Sequence, residues 1–280
     1  MKKIVAKLLS ICTTVILLCS LLSSCGQIRN AKPITDVHHL DGQRVGVALA
    51  WGPDYLLSDR EDLTLMRYNS VASAVTALCY NQVDAIAVEQ PLAVEIMASI
   101  DGLRCIEEPI AVDYMAVLVD PVQPELWAEL DAFIDEFMTT EEYTDLVARV
   151  QDPEGYEYHP VPLIGGDKLL HVGAVADAYP FTYLNFETDS FEGADIEFLC
   201  RFANAYGYDL TFYSNTWESM AMGVQYSTYD IGCGDISELY RPDIEESGSA
   251  LMTKSFLPVD IVFIEVEDRD ALKIKTPIEY

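Results

Sequence analysis

Two stretches of this chain, 69–89 and 215–235, carry matching residues at identical offsets. Asn69-Ser70 leads to Tyr80, Asp84 and Glu89; Asn215-Thr216 leads to Tyr226, Asp230 and Asp235. In each, a hydroxyl residue stands where a helix needs its N-cap, apolar residues follow at helical spacing, and a short apolar run ends in an acid. A helix–turn–strand unit that occurs twice predicts two lobes of similar design. Each copy lies among alternating strand and helix signals, which implies mostly parallel sheets covered on both faces by helices.

Upstream, QRVGVALA (43–50), LTLMRY (63–68) and VDAIAVE (83–89) read as strands, with SVASAVTALCYN (70–81) a helix between the last two. Downstream, LHVGAV reads as a strand, ADIEFLCRFANAYG (194–207) as a helix ended by Gly207, and YDLTFY (208–213) as a strand. Between the halves, PELWAELDAFIDEFM (124–138) places Leu126, Trp127, Leu130, Phe133, Ile134 and Phe137 on one helical face, and a second helix, EEYTDLVARV, follows. That aromatic stripe is core in character. Residues 151–167 have the proline and glycine pattern of a linker. Ligands of open α/β sheets sit outside the carboxyl ends of the strands, where Glu89 and Asp235 fall.

The 280 residues, 50% hydrophobic and 22% charged, suit one or two globular domains. Lys2, Lys3 and Lys7 precede an apolar run through Leu22 that holds no acid, the pattern of a secretory signal too short to span a bilayer comfortably. The Leu22-Ser23-Ser24-Cys25 stretch that closes it resembles the lipobox of bacterial lipoproteins, which implies cleavage after residue 24, diacylation of Cys25 and an extracytoplasmic protein held to the membrane by lipid alone. Losing residues 1–24 removes three lysines and no acid, taking the net charge from −29 to −32. Such a surface repels nucleic-acid phosphates and excludes a nucleic-acid binder. Cys79, Cys105, Cys200 and Cys233 fit no metal-binding spacing and read as buried small hydrophobes, with one disulfide among them left open. His38, His39, His159 and His171 fall in tether, linker or strand positions, so neither a metal site, a Ser/His constellation nor a cofactor is expected.

The stretch KLLHVGAVADAYPFTYLNFETDSFEGADIEFLCRFANAYGYDLTF resembles the first lobe of the amino-acid-binding proteins of bacterial ABC importers, extracellular solute-binding proteins of family 3. The resemblance rests on the Tyr179-Pro180-Phe181-Thr182-Tyr183 loop, on Gly193-Ala194-Asp195-Ile196-Glu197, and on Gly234 followed seven residues later by Arg241. The upstream half, with LDGQRVGV, Tyr68-Asn69-Ser70, VDAIAVEQP and EEPIAVDYMAVLV, is similar to the same family's second lobe. The resemblance implies a two-lobed type 2 periplasmic-binding fold joined by hinge strands, but in circularly permuted order. The expected boundaries are a signal peptide at 1–24, a tether at 25–40, lobe 2 at 41–118, closing helices at 119–150 that pack on lobe 1, a linker at 151–167, lobe 1 at 168–260, and a hinge strand and tail at 261–280. The new ends would meet near Leu40 and Val266. A fragment of a tandem protein, each half pairing elsewhere, is the rival arrangement.

By position, the resemblance implies Arg241 for a ligand carboxylate, Glu89 for its ammonium, and Tyr179, Phe181, Tyr183, Trp217 and Trp51 as walls, with Asp235 and Ser237 beside them. This chain departs from the family in three ways: Glu238 replaces a threonine, Trp51-Gly52-Pro53 replaces a Gly-Thr turn, and Asp235 adds a charge. These changes remove anion donors and add anions, so the expected ligand is more cationic than a neutral amino acid: a basic amino acid, a polyamine-like amine or a small peptide. The implied function is a monomeric, non-enzymatic binding protein serving an ABC permease. The alternatives are an enzyme on the same fold (a dehydratase or lytic transglycosylase) and a sensory or structural lipoprotein with a degraded site.

Overall fold

The computed structural model describes residues 33–152 and 154–276; the signal peptide, Cys25 and the first half of the tether lie outside them. The upstream half runs β1 (Arg44–Ala48), α1 (Gly52–Leu57), β2 (Thr64–Tyr68), α2 (Val71–Cys79), β3 (Ala85–Glu89), α3 (Gln90–Ser99), β4 (Ile100–Asp101), β5 (Leu103–Cys105) and β6 (Ala111–Val119). Two helices follow, α4 (Pro124–Phe137) and α5 (Glu141–Val150). The downstream half runs β7 (Lys168–Val175), β8 (Asp177–Ala178), β9 (Thr182–Asn185), β10 (Ser190–Glu192), α6 (Ala194–Tyr206), β11 (Tyr208–Asn215), α7 (Trp217–Gln225) and β12 (Ile231–Ser237). It closes with a 3-10 turn (Glu238–Tyr240), α8 (Arg241–Ser247), β13 (Leu251–Met252), β14 (Leu257–Val266) and β15 (Lys273–Ile274).

One sheet orders its strands β11-β7-β12-β6-β14-β3-β1-β2, with β13 added to β6 and β5 to β14. Read from either end, the design is the same. Strands β11, β7 and β12 are parallel, β6 runs antiparallel to β12, and β13 antiparallel to β6. Strands β2, β1 and β3 are parallel, β14 runs antiparallel to β3, and β5 antiparallel to β14. Each lobe is thus three parallel strands, one antiparallel strand arriving from the other lobe, and one short closing strand. The arriving strands are the crossings. β6 pairs with β14 from Ala111 to Met115 and then with β12; β14 leaves β6 at Ile261 and continues along β3.

The repeated motif accounts for this symmetry atom by atom. The Ser70 Oγ accepts from Ser73 N–H at 3.2 Å and caps α2; the Thr216 Oγ1 accepts from Ser219 N–H at 3.4 Å and caps α7. The Asp84 carboxylate takes the N–H of Arg44 at 2.8 Å, and Asp230 takes the N–H of His171 at 2.7 Å. Arg44 and His171 each stand two residues before a glycine of their lobe's first parallel strand. Both acids therefore tie the turn before the third strand to the first with a charge-assisted bond. Every residue of β3 and β12 is buried, as continuous apolar strands covered on both faces must be.

The downstream core gathers Val172, Phe198, Phe202 and Phe256 together with Leu126, Leu130, Phe133, Ile134 and Phe137 of α4 and Leu146 and Val150 of α5. The two helices thus lie on the sheet of residues 168–260, each buried leucine or phenylalanine contributing about 1.5–3 kcal/mol. Trp127 seals their edge by donating its indole N–H to the Met252 carbonyl at 2.9 Å. The upstream core is built from Val71, Leu78, Ile86, Ile96 and Ile264.

Two segments are better ordered than their composition suggests. Residues 33–40, expected as tether, bury Ile34, Val37 and Leu40 against Val45, Leu57 and Phe263. The three apolar residues recur every third position, a stripe hidden among polar neighbours. The Ile34 N–H donates to the Glu265 carboxylate at 2.9 Å, and Arg104 pairs with the same carboxylate, so the start of the described chain meets the end of β14. The linker 151–167 forms no helix or strand among its described residues, yet it is pinned by the buried Glu197 carboxylate. That group accepts from both Arg149 terminal nitrogens at 2.7 and 2.8 Å, from the Tyr156 hydroxyl at 2.6 Å and from His159 N–H at 2.9 Å. Burial alone would raise the Glu197 carboxyl; these partners hold it below its ordinary value. Cys79, Cys105, Cys200 and Cys233 are free thiols, the last two buried.

Candidate functional site

Where β3 and β12 end, the two lobes bring acids together. Glu89 closes β3 and occupies the N-cap position of α3 without spending its side chain on the cap. Asp235 is placed by an irregularity: the β12–β6 register breaks between Gly232 and Ile236, with Gly234 at φ +113° and Asp235 at φ +57°. A bulge of this kind re-aims a side chain that regular pleating would point elsewhere. A Cβ at Gly234 would lie 2.4 Å from Thr182 Oγ1 and 2.8 Å from Val175 Cβ, so the bulge requires glycine there.

A third acid, Asp113, comes from the crossing strand β6. Its Oδ2 accepts from the Ser237 hydroxyl at 2.7 Å and its Oδ1 from the Tyr114 N–H at 2.7 Å. Gly52, opening α1, brings backbone against this group. A Cβ on Gly52 would sit 2.8 Å from Asp113 Oδ2, 3.5 Å from Glu89 Oε1 and 3.6 Å from Ser237 Oγ. Both lobes and the hinge thus converge on one point.

The cluster is buried and electrostatically unbalanced. Glu89 is 3% exposed, Asp113 3% and Asp235 7%, and Glu89 Oε1 has no hydrogen-bond partner among the described residues. Burial pushes the Glu89 carboxyl up to about 7, with the Asp113 charge adding to it. Burial also raises Asp113, against the Ser237 and Tyr114 bonds that favour its ionised form. Asp235 is driven well above the usual carboxylate range by burial first and then by Glu89, Asp113 and Asp195. Burial thus disfavours the ionised form of all three, and a cation beside them would favour it.

Beside the cluster lies a cavity of about 470 Å³. Trp51 and Tyr55 wall it from the upstream lobe, Trp217, Tyr240 and Ile244 from the downstream lobe. The Tyr55 and Tyr240 rings meet edge to face at 5.1 Å, and the Tyr55 hydroxyl donates to Asp243 at 3.1 Å, which links the lobes across the opening. Asp177, Glu218, Asp235 and Asp243 line the cavity; no described lysine, arginine or histidine does. Among the described residues no group of three or more His, Cys, Asp or Glu side chains is arranged to hold a metal ion. An ammonium group, which takes both carboxylates and ring faces, suits these walls.

The expected site residues divide. Trp51, Trp217 and Asp235 line the cavity; Trp51, Glu89, Tyr179, Phe181 and Asp235 border a small adjoining void. Ser237 is in the cluster as the partner of Asp113. Tyr179 turns its hydroxyl to the Tyr156 backbone, accepting from the N–H at 3.0 Å, so it braces the linker as well. Tyr183 is not at the cavity; it packs on Tyr179 at 5.3 Å and belongs to the downstream core. Arg241 is not brought to the cluster either. Glu238 takes its guanidinium from two sides, and the Met252 and Thr253 carbonyls take the rest at 3.2 and 2.7 Å. It faces a separate depression with Trp127, Asp131 and Lys254. The Glu238 that replaces the family's threonine is thus the residue that turns Arg241 away. Asp113, Tyr55 and Tyr240 were not expected. A lone acid within the apolar strand IAVDYMAVLV was the available signal for the first; nothing local distinguishes the two tyrosines.

With this geometry in hand, the chain was compared with known proteins. Residues 170–239 match the family described as bacterial extracellular solute-binding proteins, family 3. The resemblance read from the downstream motifs therefore holds over about a quarter of the chain. The L-cystine-binding protein TcyA of Bacillus subtilis (strain 168) is 29% identical over 75 residues, 27% of this chain and 28% of that protein. Among solved structures, the probable amino-acid ABC transporter extracellular-binding protein YtmK of Bacillus subtilis covers 82% of this chain and 85% of its own, at 8% identity and a TM-score of 0.43. The ligand-binding component of an ABC-type import system from Staphylococcus aureus, with zinc bound, covers 81% and 66%, at 11% identity and a TM-score of 0.43. The fold itself is shown by the strand order: a two-lobed α/β protein whose lobes share one design and are joined by two crossing strands. Among the described residues no helix is long and apolar enough to cross a membrane.

Proposed function

We propose that this protein is an extracytoplasmic solute-binding protein that captures a small amine-bearing solute between its lobes. The observation that carries this reading is Glu89 Oε1, buried and without a hydrogen-bond partner among the described residues, beside Asp113 and Asp235 where the lobes meet. Leaving a buried carboxylate oxygen unpaired costs about 1–3 kcal/mol or more, and an ammonium donor removes that cost. The family matched by residues 170–239 is one of binding proteins, which supports capture and not turnover. Delivery to an ABC importer follows from the same kinship, and attachment through a lipidated Cys25 from the sequence around it. Isothermal titration of the purified chain with a panel of amino acids and amines tests this reading. Tight binding confined to glutamate and aspartate would sink it.

The chain order is, in this reading, a circular permutation of the family's. Three features support it: the matching strand order of the lobes, α4 and α5 seated on the downstream sheet, and the Ile34–Glu265 bond that seats one end of the described chain on β14. Termini that lie close together are what make such rejoining tolerable.

The Glu89 carboxyl, raised to about 7, also favours acid–base catalysis on this fold as a second reading. Recovery of a bound candidate solute chemically unchanged after prolonged incubation separates capture from catalysis.

A further inference from the structure

We infer that the site selects amines that carry no free carboxylate, so that an amino acid is a poorer ligand than its decarboxylated counterpart. The inference rests on the capture reading above and names its substrate class. An amino-acid site needs two receptors, one for the ammonium and one for the carboxylate. The first is present here; for the second, the arginine and the helix ends near the cleft already face acids of this chain.

The guanidinium of Arg241 is filled by Glu238 and by two carbonyls, and it faces a different depression from the cavity. The helix N-termini near the cleft are occupied in the same manner. Helix α1 has Asp54 in its first turn, buried and accepting from the Ala50 N–H at 2.9 Å. Helix α3 begins at Glu89, with a proline in its first turn that removes a donor. Helix α7 carries Glu218 in its first turn, and α8 carries Asp243; both acids line the cavity. An acid in the first turn already satisfies the positive end of a helix, so an arriving anion meets a negative charge where it would need a positive one.

What remains is a receptor for positive charge alone. The unpartnered Glu89 Oε1 and Asp235 border the inner void, and Trp51 continues from that void into the main cavity, where Trp217 and Tyr240 offer ring faces. Asp177 and Glu218 extend the negative lining outward. A cavity of about 470 Å³ accommodates an aliphatic amine with a second cationic group. An α-carboxylate on the same skeleton would be desolvated among acids, with neutral hydroxyl and indole donors but no described cationic group to receive it.

The test is titration of the full chain at pH 7.5 with matched pairs: ornithine and putrescine, lysine and cadaverine, arginine and agmatine. The expected result is that at least one decarboxylated member binds about 100-fold or more tightly than its amino acid, the scale on which an unpaired buried charge is penalised. Equal or tighter binding of the amino acids overturns this inference and leaves the capture reading standing. Failure of every cation, with cystine or another neutral amino acid bound instead, overturns both the selectivity and the amine reading. Arg241→Ala gives an independent check. Because the guanidinium is turned away, amine affinity is expected to change less than about 3-fold; a loss of 30-fold or more in a folded variant would place Arg241 at the ligand and refute the inference.

Discussion

Replacing Glu89 by glutamine should make the ligand-free protein more stable at pH 8, and the gain should vanish at pH 5. Glu89 is wholly buried with one oxygen unpaired, and its carboxyl is raised from an ordinary value of 4.5 to about 7. A carboxyl raised on folding binds its proton more readily in the native state than in the unfolded chain. Between pH 4.5 and 7 the native state therefore holds the extra proton, and stability falls as pH rises through that window. At about 1.4 kcal/mol per pH unit, the ionised group costs the native state about 3 kcal/mol above pH 7. The amide carries no charge and escapes that cost. Urea unfolding monitored by tryptophan fluorescence at pH 5, 6, 7 and 8 should show the wild-type midpoint dropping across the series and the E89Q midpoint dropping less steeply, its remaining fall coming from the buried Asp113 and Asp235 carboxyls. In thermal melts the difference at pH 8 amounts to roughly 6–12 °C. The same variant should lose amine binding, because the wild type recovers its cost only when a cation sits against Glu89. Parallel pH profiles for the two proteins, or an E89Q variant weaker than wild type at pH 8, would refute the reasoning.

Other outcomes follow from the same structure. Arg149→Met removes two charge-assisted bonds from the buried Glu197 carboxylate, which keeps Tyr156, the His159 N–H and Arg201, and should cost about 2–3 kcal/mol in urea unfolding, whereas Asp145→Asn, which removes an exposed partner of Arg149, should cost less than about 1 kcal/mol. Gly234→Ala drives a methyl group into Thr182 and Val175 at a positive φ, and a loss of roughly 2–4 kcal/mol is expected, read from the urea midpoint. Trp217→Ala should weaken amine binding by about 5- to 30-fold in calorimetry while leaving the melting temperature nearly unchanged, since the ring lies at the cavity and is 38% exposed. A rearranged chain that begins at Tyr156, joins Val266 to Ile34 through a short Gly/Ser bridge and ends at Gln151 keeps the buried Ile34, Val37 and Leu40 and the Tyr156 and His159 bonds to Glu197, and it should fold and keep ligand affinity within about 5-fold; insolubility of that chain would count against permutation.

Much of the fold was legible because the inner parallel strands β1, β3, β7 and β12 are largely buried and so read as mainly apolar runs. The repeated Asn-Ser/Thr to acid spacing was legible for a different reason: each acid answers a local need, a backbone N–H two residues before a strand glycine, and local needs recur at fixed offsets. Glu89 and Asp235 belonged to that repeat; Glu89 ends its strand as expected, whereas Asp235 lies two residues before the end of β12, in the bulge. Asp113 was not, because its role depends on Ser237, 124 positions away, and on Gly52. Arg241 was misplaced for a subtler reason. Its position along the chain matched the family, but the direction of its side chain is set by Glu238, and a competing acid three residues away outweighs positional likeness. The segment 33–40 was misread because a three-residue apolar stripe among histidines and aspartates has the composition of a tether and the burial of a core strand's neighbour.

The crossing strands carry a mechanical consequence. Between the lobes, among the described residues, β6 and β14 alone bridge the gap as strands, paired over five positions, and Asp113 stands opposite Val259 in the middle of that ribbon. A two-stranded ribbon resists stretching but yields readily to torsion, so the lobes should part by twisting about it and not by sliding. Since Asp113 reaches from the ribbon to Ser237 in β12, any twist must strain or break that bond. Neutralising Asp113 would weaken that charge-assisted bond and so loosen the pivot: the charge sensor and the torsion element share a residue.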